Sequence, residues 1–146
     1  MQECLFCKII NGDIPCYKIY EDEYTLAFLD ISNDTIGHTL VIPKKHYENI
    51  FEVDKELLMH VMDTTQLLCN HYKSLGFKGV NIQNNNGECA GQSVFHLHVH
   101  ILPRGIPSDC LKKLNLNQSK PDLKSISEVF FTKKWHSKVD KLKNVC

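Results

Sequence analysis

No run of this 146-residue chain approaches the roughly 18 consecutive apolar residues that a membrane-spanning helix needs. Nor does Met1-Gln2-Glu3-Cys4 open a basic region followed by an apolar one, as a secretion signal would. These two absences exclude a helical membrane span and make the cytoplasm the expected location. Charge of one sign is also lacking, with 17 Lys plus Arg against 17 Asp plus Glu. No global field therefore draws the chain to nucleic acid or to an anionic membrane, although a local anion site stays open. There is no internal repeat and no low-complexity segment. The seven cysteines are an odd number and are scattered apart from Cys4-Leu5-Phe6-Cys7, which implies reduced thiols plus one close pair in place of a disulfide framework. Cys16, Cys69, Cys89, Cys110 and Cys146 read as small buried or surface residues. What is present, 42% hydrophobic and 23% charged residues, is ordinary for one globular domain.

Along the chain, a short apolar segment around the cysteine pair ends at the turn Asn11-Gly12-Asp13-Ile14-Pro15. Tyr17–Tyr20 and Tyr24–Leu29 flank Glu21-Asp22-Glu23 and read as a hairpin, and His38–Ile42 reads as a third strand ended by Pro43-Lys44-Lys45. Asp54 is a suitable N-cap for the longest helix, in which Leu57, Leu58, Val61, Met62, Leu67 and Leu68 recur at helical spacing before Gly76. Gly79–Asn84 alternates as a strand that pairs with a strand over Ser93–Leu102. Beyond Arg104 the chain becomes loop-like to Lys120. Pro121-Asp122-Leu123 then starts a helix that continues through Ile126, Val129, Phe130, Lys133 and Lys134 toward Trp135. The sum is an α+β domain with a mostly antiparallel sheet of about five strands, one long helix and a C-terminal helix.

Within the last strand, His96, His98 and His100 alternate with apolar residues, which places the three imidazoles on one face. Imidazole is a costly core filler, but it ligates metals, attacks electrophiles and moves protons near neutral pH. His60 and His71 in the long helix and His136 in the tail join no such constellation and read as surface residues. His38, at the start of a neighbouring strand, is a candidate further polar group in the pocket.

C-x-x-C brings two thiolates within reach of one tetrahedral zinc ion, and His46 and His96 are available to complete a structural Cys2His2 site. The alternative is that Cys4 and Cys7 are small hydrophobes on a short helix, and spacing alone leaves both open. A redox pair fits less well, because the motif precedes the first strand.

His98 and His100 remain beside a polar loop. A neutral imidazole attacks phosphorus when its second nitrogen is held by an acceptor, for which a backbone carbonyl suffices. The reaction also needs donors on the non-bridging oxygens. Gly91, Gln92 and Ser93 offer backbone amides and two side-chain donors, Asn85 can reach in from the facing strand, and His100 can add another. One such histidine alone would read as packing; three at period two beside Gly-Gln-Ser favour chemistry.

His96-Leu97-His98-Val99-His100-Ile101-Leu102 resembles the signature of the histidine triad family, and the likeness runs from Cys4 to about Arg104. It takes in Phe28–Ser32, His38–His46 and Gly91–Phe95. The resemblance implies residues 1–104 as a nucleotide-binding domain and 105–146 as a C-terminal loop and helix on the same domain. It also implies a homodimer that cleaves or transfers at the α-phosphorus of purine nucleoside phosphoramidates or dinucleoside polyphosphates. On this likeness His98 is the nucleophile that forms a nucleotidyl-histidine, with His100, Ser93, Gln92, Gly91 and Asn85 on the phosphate side. Asp30 accepts the ribose hydroxyls, and Phe6, Ile9, Phe28 and Ile31 line the base pocket. Structural Zn2+ is implied on Cys4, Cys7, His46 and His96, with no nucleic acid or membrane as partner. A nucleotide-binding regulatory module with little turnover is the alternative. The likeness stops at the tail, so it gives neither leaving-group preference nor a role for Trp135.

Overall fold

A computed structural model describes residues 3–32, 34–107 and 122–132. Five strands, β1 (Lys18–Glu21), β2 (Thr25–Leu29), β3 (Thr39–Pro43), β4 (Gly79–Gln83) and β5 (Val99–Arg104), form one antiparallel sheet in the order β1-β2-β3-β5-β4. Three helices accompany it: α1 (Leu5–Ile10), α2 (Lys55–Ser74) and α3 (Leu123–Phe130). This is the α+β architecture expected from the sequence. Among the described residues, no helix is long and apolar enough to cross a membrane.

Local chemistry sets the boundaries. Asp22 closes the β1–β2 hairpin, since its Oδ1 accepts from the amides of Tyr24 and Thr25, both at 2.8 Å. Asp54 caps α2 by accepting from the Leu57 amide at 2.8 Å. From there Leu57, Val61, Thr64, Thr65, Leu68 and Tyr72 form one buried stripe at three- and four-residue spacing. The two sheet faces then diverge in role. Ala27, Leu29, Val41, Val99 and Ile101 pack against Val61, Leu68 and Tyr72 of α2 and against Ile126 and Phe130 of α3. Leu26, Phe28, Leu40 and Ile42 face the other way and pack on Phe6 of α1. The second face carries the histidines, because His100 pairs with Leu40.

Three expectations change. The histidine strand does not begin at Ser93: β5 starts at Val99, after His96 and His98. Its backbone bonds are taken earlier by non-ladder partners, the Leu97 amide donating to the Tyr47 carbonyl at 2.7 Å and Asn84 Nδ2 to the His98 carbonyl at 2.8 Å. The C-terminal helix ends at Phe130, and Lys133, Lys134, Trp135 and His136 lie outside the described residues. His71 is no plain surface residue: its half-buried ring donates from Nε2 to the Phe130 carbonyl at 2.9 Å and ties α2 to α3. His60 stacks on Tyr24 with ring centroids 3.9 Å apart.

Candidate active site and metal cluster

Cys4 sits at the N-cap of α1, where its Sγ accepts from the Cys7 amide at 3.4 Å, so one helical turn brings both sulfurs to the same side. His46, just past β3, and His96, just before β5, meet them. Cys4 Sγ, Cys7 Sγ, His46 Nδ1 and His96 Nδ1 all lie within 4.8 Å of one another. The individual separations are 3.4 Å for Cys4–His96, 3.4 Å for Cys7–His46, 3.7 Å for Cys7–His96 and 3.2 Å for His46–His96. A tetrahedron with ordinary zinc–sulfur and zinc–nitrogen bonds has edges of about 3.5 Å between S and N and about 3.3 Å between two N atoms. The match is close at each of these four edges.

The tautomer fits as well. His96 Nε2 is 2.8 Å from the Pro43 carbonyl, which only accepts, so Nε2 carries the proton and Nδ1 points its lone pair into the cluster. Burial, reinforced by His46 and His98, holds His96 down at about 4 and keeps it a neutral ligand. Burial also pushes the Cys7 thiol up to about 11, with the Cys4 sulfur adding to the shift. A bound cation would displace that proton. The four residues fit a closed Cys2His2 ion.

On the same face, the His98 ring is buried and set edge-on to Phe6, with centroids 5.2 Å apart. Its Nδ1 lies 2.7 Å from the His96 carbonyl and donates to it. Nε2 is therefore the nitrogen with the lone pair. Burial also lowers the His98 pKa, which favours the neutral, nucleophilic ring.

His100 sits beside it, with ring centroids 4.9 Å apart. A chain of fixed tautomers runs away from it. Asp34 Oδ1 accepts from His38 Nδ1 at 2.8 Å, and His38 Nε2 accepts from His100 Nδ1 at 2.9 Å. His38 thus joins the pocket, and Asp34, which sequence reasoning missed, orients it. Burial, with His98 and His38 beside it, lowers His100 to about 4. Asp30 follows β2, with Oδ2 3.9 Å from His38 Nε2, while Oδ1 accepts from the Ser32 amide at 2.7 Å.

The remaining candidates separate. Phe6 and Phe28 are buried in edge-to-face contact at 5.6 Å, and Ile9 packs on their cluster. Ile31 is 82% exposed. Ser93 is exposed and lines a cleft of about 390 Å³ with Glu3, Cys4, Leu5, His46, Glu48, Val94 and Phe95. Gly91 takes the left-handed conformation at φ 88°, with Asn85 Nδ2 close by. Gln92 is buried and fully engaged with backbone: Nε2 donates to Glu48 at 2.6 Å and Val94 at 3.1 Å, and Oε1 accepts from Gly87 at 2.8 Å. Its side chain shapes the loop, in place of the free phosphate donor expected. Asn84, not foreseen, holds the His98 carbonyl from the end of β4.

An antiparallel sheet that gathers alternate histidines over one apolar face defines a small α+β domain of the histidine-bearing kind. The family model described as HIT domain matches residues 11–105, and the chain belongs to that family. It is 48% identical over 134 residues to Protein hit of Bacillus subtilis, covering 86% of this chain and 90% of that one. It is 42% identical over 101 residues to the adenosine 5'-monophosphoramidase hnt1 of Schizosaccharomyces pombe, covering 69% and 74% respectively. Among solved structures, the Zn-bound histidine triad family protein of Mycobacterium smegmatis aligns with a TM-score of 0.78 at 32% identity, covering 97% of this chain and 98% of that one.

Proposed function

We propose that this protein hydrolyses a purine nucleotide at its α-phosphorus, with a phosphoramidate or a dinucleoside polyphosphate as substrate. The observation that carries the reading is the His98 ring, locked by its Nδ1–H bond to the His96 carbonyl so that Nε2 bears the lone pair. The phosphoramidase name of the Schizosaccharomyces pombe relative supports the same chemistry. Nε2 attacks phosphorus; the N–P bond forms as the bond to the leaving group breaks, and that group departs with a proton given up by protonated His100, which takes one back from the water that attacks next. Water then attacks the nucleotidyl-His98, releasing the nucleoside monophosphate and restoring the neutral ring.

Positioning follows from the neighbours. His100 and Ser93 supply donors to the non-bridging oxygens, an anionic phosphate raising His100 far enough to hold a second proton. Asn85 and the Gly91 turn shape the approach. Asp30 offers Oδ2 to the ribose hydroxyls, and Phe6, Phe28 and Ile9 form the apolar side of the base pocket. A structural Zn2+ on Cys4, Cys7, His46 and His96 ties α1, and with it Phe6, to the nucleophile segment. The reading includes a cytoplasmic homodimer, with residues 105–146 as a C-terminal loop and helix on the same domain as 1–104.

The test is a panel of adenosine and guanosine phosphoramidates and dinucleoside polyphosphates, run on the wild type beside His98→Ala. Turnover of at least one class, lost in His98→Ala while bound zinc is retained, supports the proposal. Tight nucleoside monophosphate binding with no turnover across the panel would instead identify a nucleotide-binding module.

A further inference from the structure

We propose that Asp30, His38 and His100 form a second metal site, taking a divalent first-row transition ion of the zinc class that shuts the nucleotide pocket when bound. One donor atom from each of the three lies within 4.8 Å of the others. Two imidazoles and one carboxylate are a facial donor set that leaves positions open for water. The 2.9 Å between His38 Nε2 and His100 Nδ1 is close to the cis edge of about 3.0 Å expected for metal–nitrogen bonds of about 2.1 Å in octahedral geometry, whereas Asp30 Oδ2, 3.9 Å from His38 Nε2, has to swing inward as the ion binds.

A second observation points to an ion independently of that spacing. Asp34 accepts from His38 Nδ1 at 2.8 Å, which fixes the tautomer whose Nε2 lone pair faces the cluster. This is the outer carboxylate that metal-binding imidazoles use to set ring orientation and raise basicity. The backbone that carries the donors is also held in place before any ion arrives. His100 lies within β5, opposite Leu40 of β3. The amide of Asp30, just past β2, donates to the carbonyl of His38, just before β3, at 2.8 Å. On binding, His100 transfers its proton from Nδ1 to Nε2 and Asp30 presents Oδ2, so no net proton is released by the rings. The site is distinct from the Cys2His2 cluster: it shares no residue with it and contains no thiolate.

The inhibitory half of the inference rests on the nucleotide reading above, because Asp30 and His100 are the groups assigned there to ribose and phosphate. The experiment separates the two. The full chain, with one equivalent of zinc in the cysteine cluster, is titrated with Co2+ and followed by visible absorption. One further equivalent is expected, with weak d–d bands and no thiolate-to-cobalt charge transfer. Asp34→Asn weakens it roughly 10–100-fold, and His38→Ala removes it, with retained zinc and an unchanged melting curve reporting an intact fold. Added AMP raises the apparent Kd for Co2+ in proportion to its concentration. Absence of a second equivalent, or one indifferent to both substitutions, overturns the site. Cobalt binding that responds to both substitutions but not to AMP upholds the site and overturns the exclusion of nucleotide.

Discussion

Gln92→Glu distinguishes a loop clamp from a phosphate donor without changing side-chain shape. The wild-type amide donates to two carbonyls, those of Glu48 and Val94, and accepts from the Gly87 amide, in a position only 3% exposed. A carboxylate keeps the acceptor and loses both donors. Each buried carbonyl left facing it costs about 1–3 kcal/mol, so the variant loses about 2–4 kcal/mol at pH 8 after partial relaxation. At about 3 °C per kcal/mol for a domain of this size, Tm falls by about 6–12 °C. Protonation gives the carboxyl back one donor, so its pKa is raised in the folded state. The sign follows: the ionisation-linked part of the penalty is full above the raised pKa and is lost as pH falls below the unfolded value of about 4.3, leaving the cost of the one carbonyl that still lacks a donor. Thermal unfolding at pH 5 and pH 8 reads this directly, the gap from wild type being wider at pH 8. An unchanged Tm with a selective loss of turnover would refute the reasoning and return Gln92 to the phosphate.

Gly37→Ala places a methyl against the Phe130 ring at a φ of 83°, combining a left-handed backbone with an overpacked core. A loss of about 2–5 kcal/mol is expected in urea unfolding, and stability within 0.5 kcal/mol of wild type would contradict the packing described. Zinc at a thousand times its Kd stabilises by about 4 kcal/mol, so chelation should lower Tm in the wild type and leave the Cys4→Ala, Cys7→Ala double variant unmoved. His100, held at about 4 when folded and near 6.5 when unfolded, makes the unfolded chain the stronger proton binder between those values. Stability of the zinc-loaded protein should therefore fall as pH drops through that window, and His100→Gln should flatten the fall; an identical pH profile in that variant counts against the buried neutral ring.

Much of the fold was legible because local signals and burial agree. Asp54 is a cap by chemistry and by structure, and the stripe from Leu57 to Tyr72 repeats at the helical period. The hairpin around Asp22 and the pairing of β4 with β5 follow the same logic. The Cys4, Cys7, His46 and His96 grouping was readable as residue types, although spacing could not decide it. What escaped the sequence were partners set by three-dimensional detail. Periodicity carried the histidine strand back to Ser93, but alternation does not reveal that the Tyr47 carbonyl and the Asn84 amide replace the ladder before Val99. Gln92 has the right chemistry for a phosphate and the wrong neighbours. Asp34 lies four residues before His38, outside any strand, and only a turn brings its carboxylate to Nδ1.

The central claim is that His98 Nε2 bonds covalently to phosphorus. Rapid quench of wild-type protein mixed with an adenosine phosphoramidate, followed by peptide mass spectrometry under conditions that preserve N–P bonds, tests it directly. A transient adenylyl adduct on His98 is expected, forming and decaying at the rate of turnover and absent in His98→Ala. Full turnover with no adduct on that residue, or undiminished activity in His98→Ala, would contradict it.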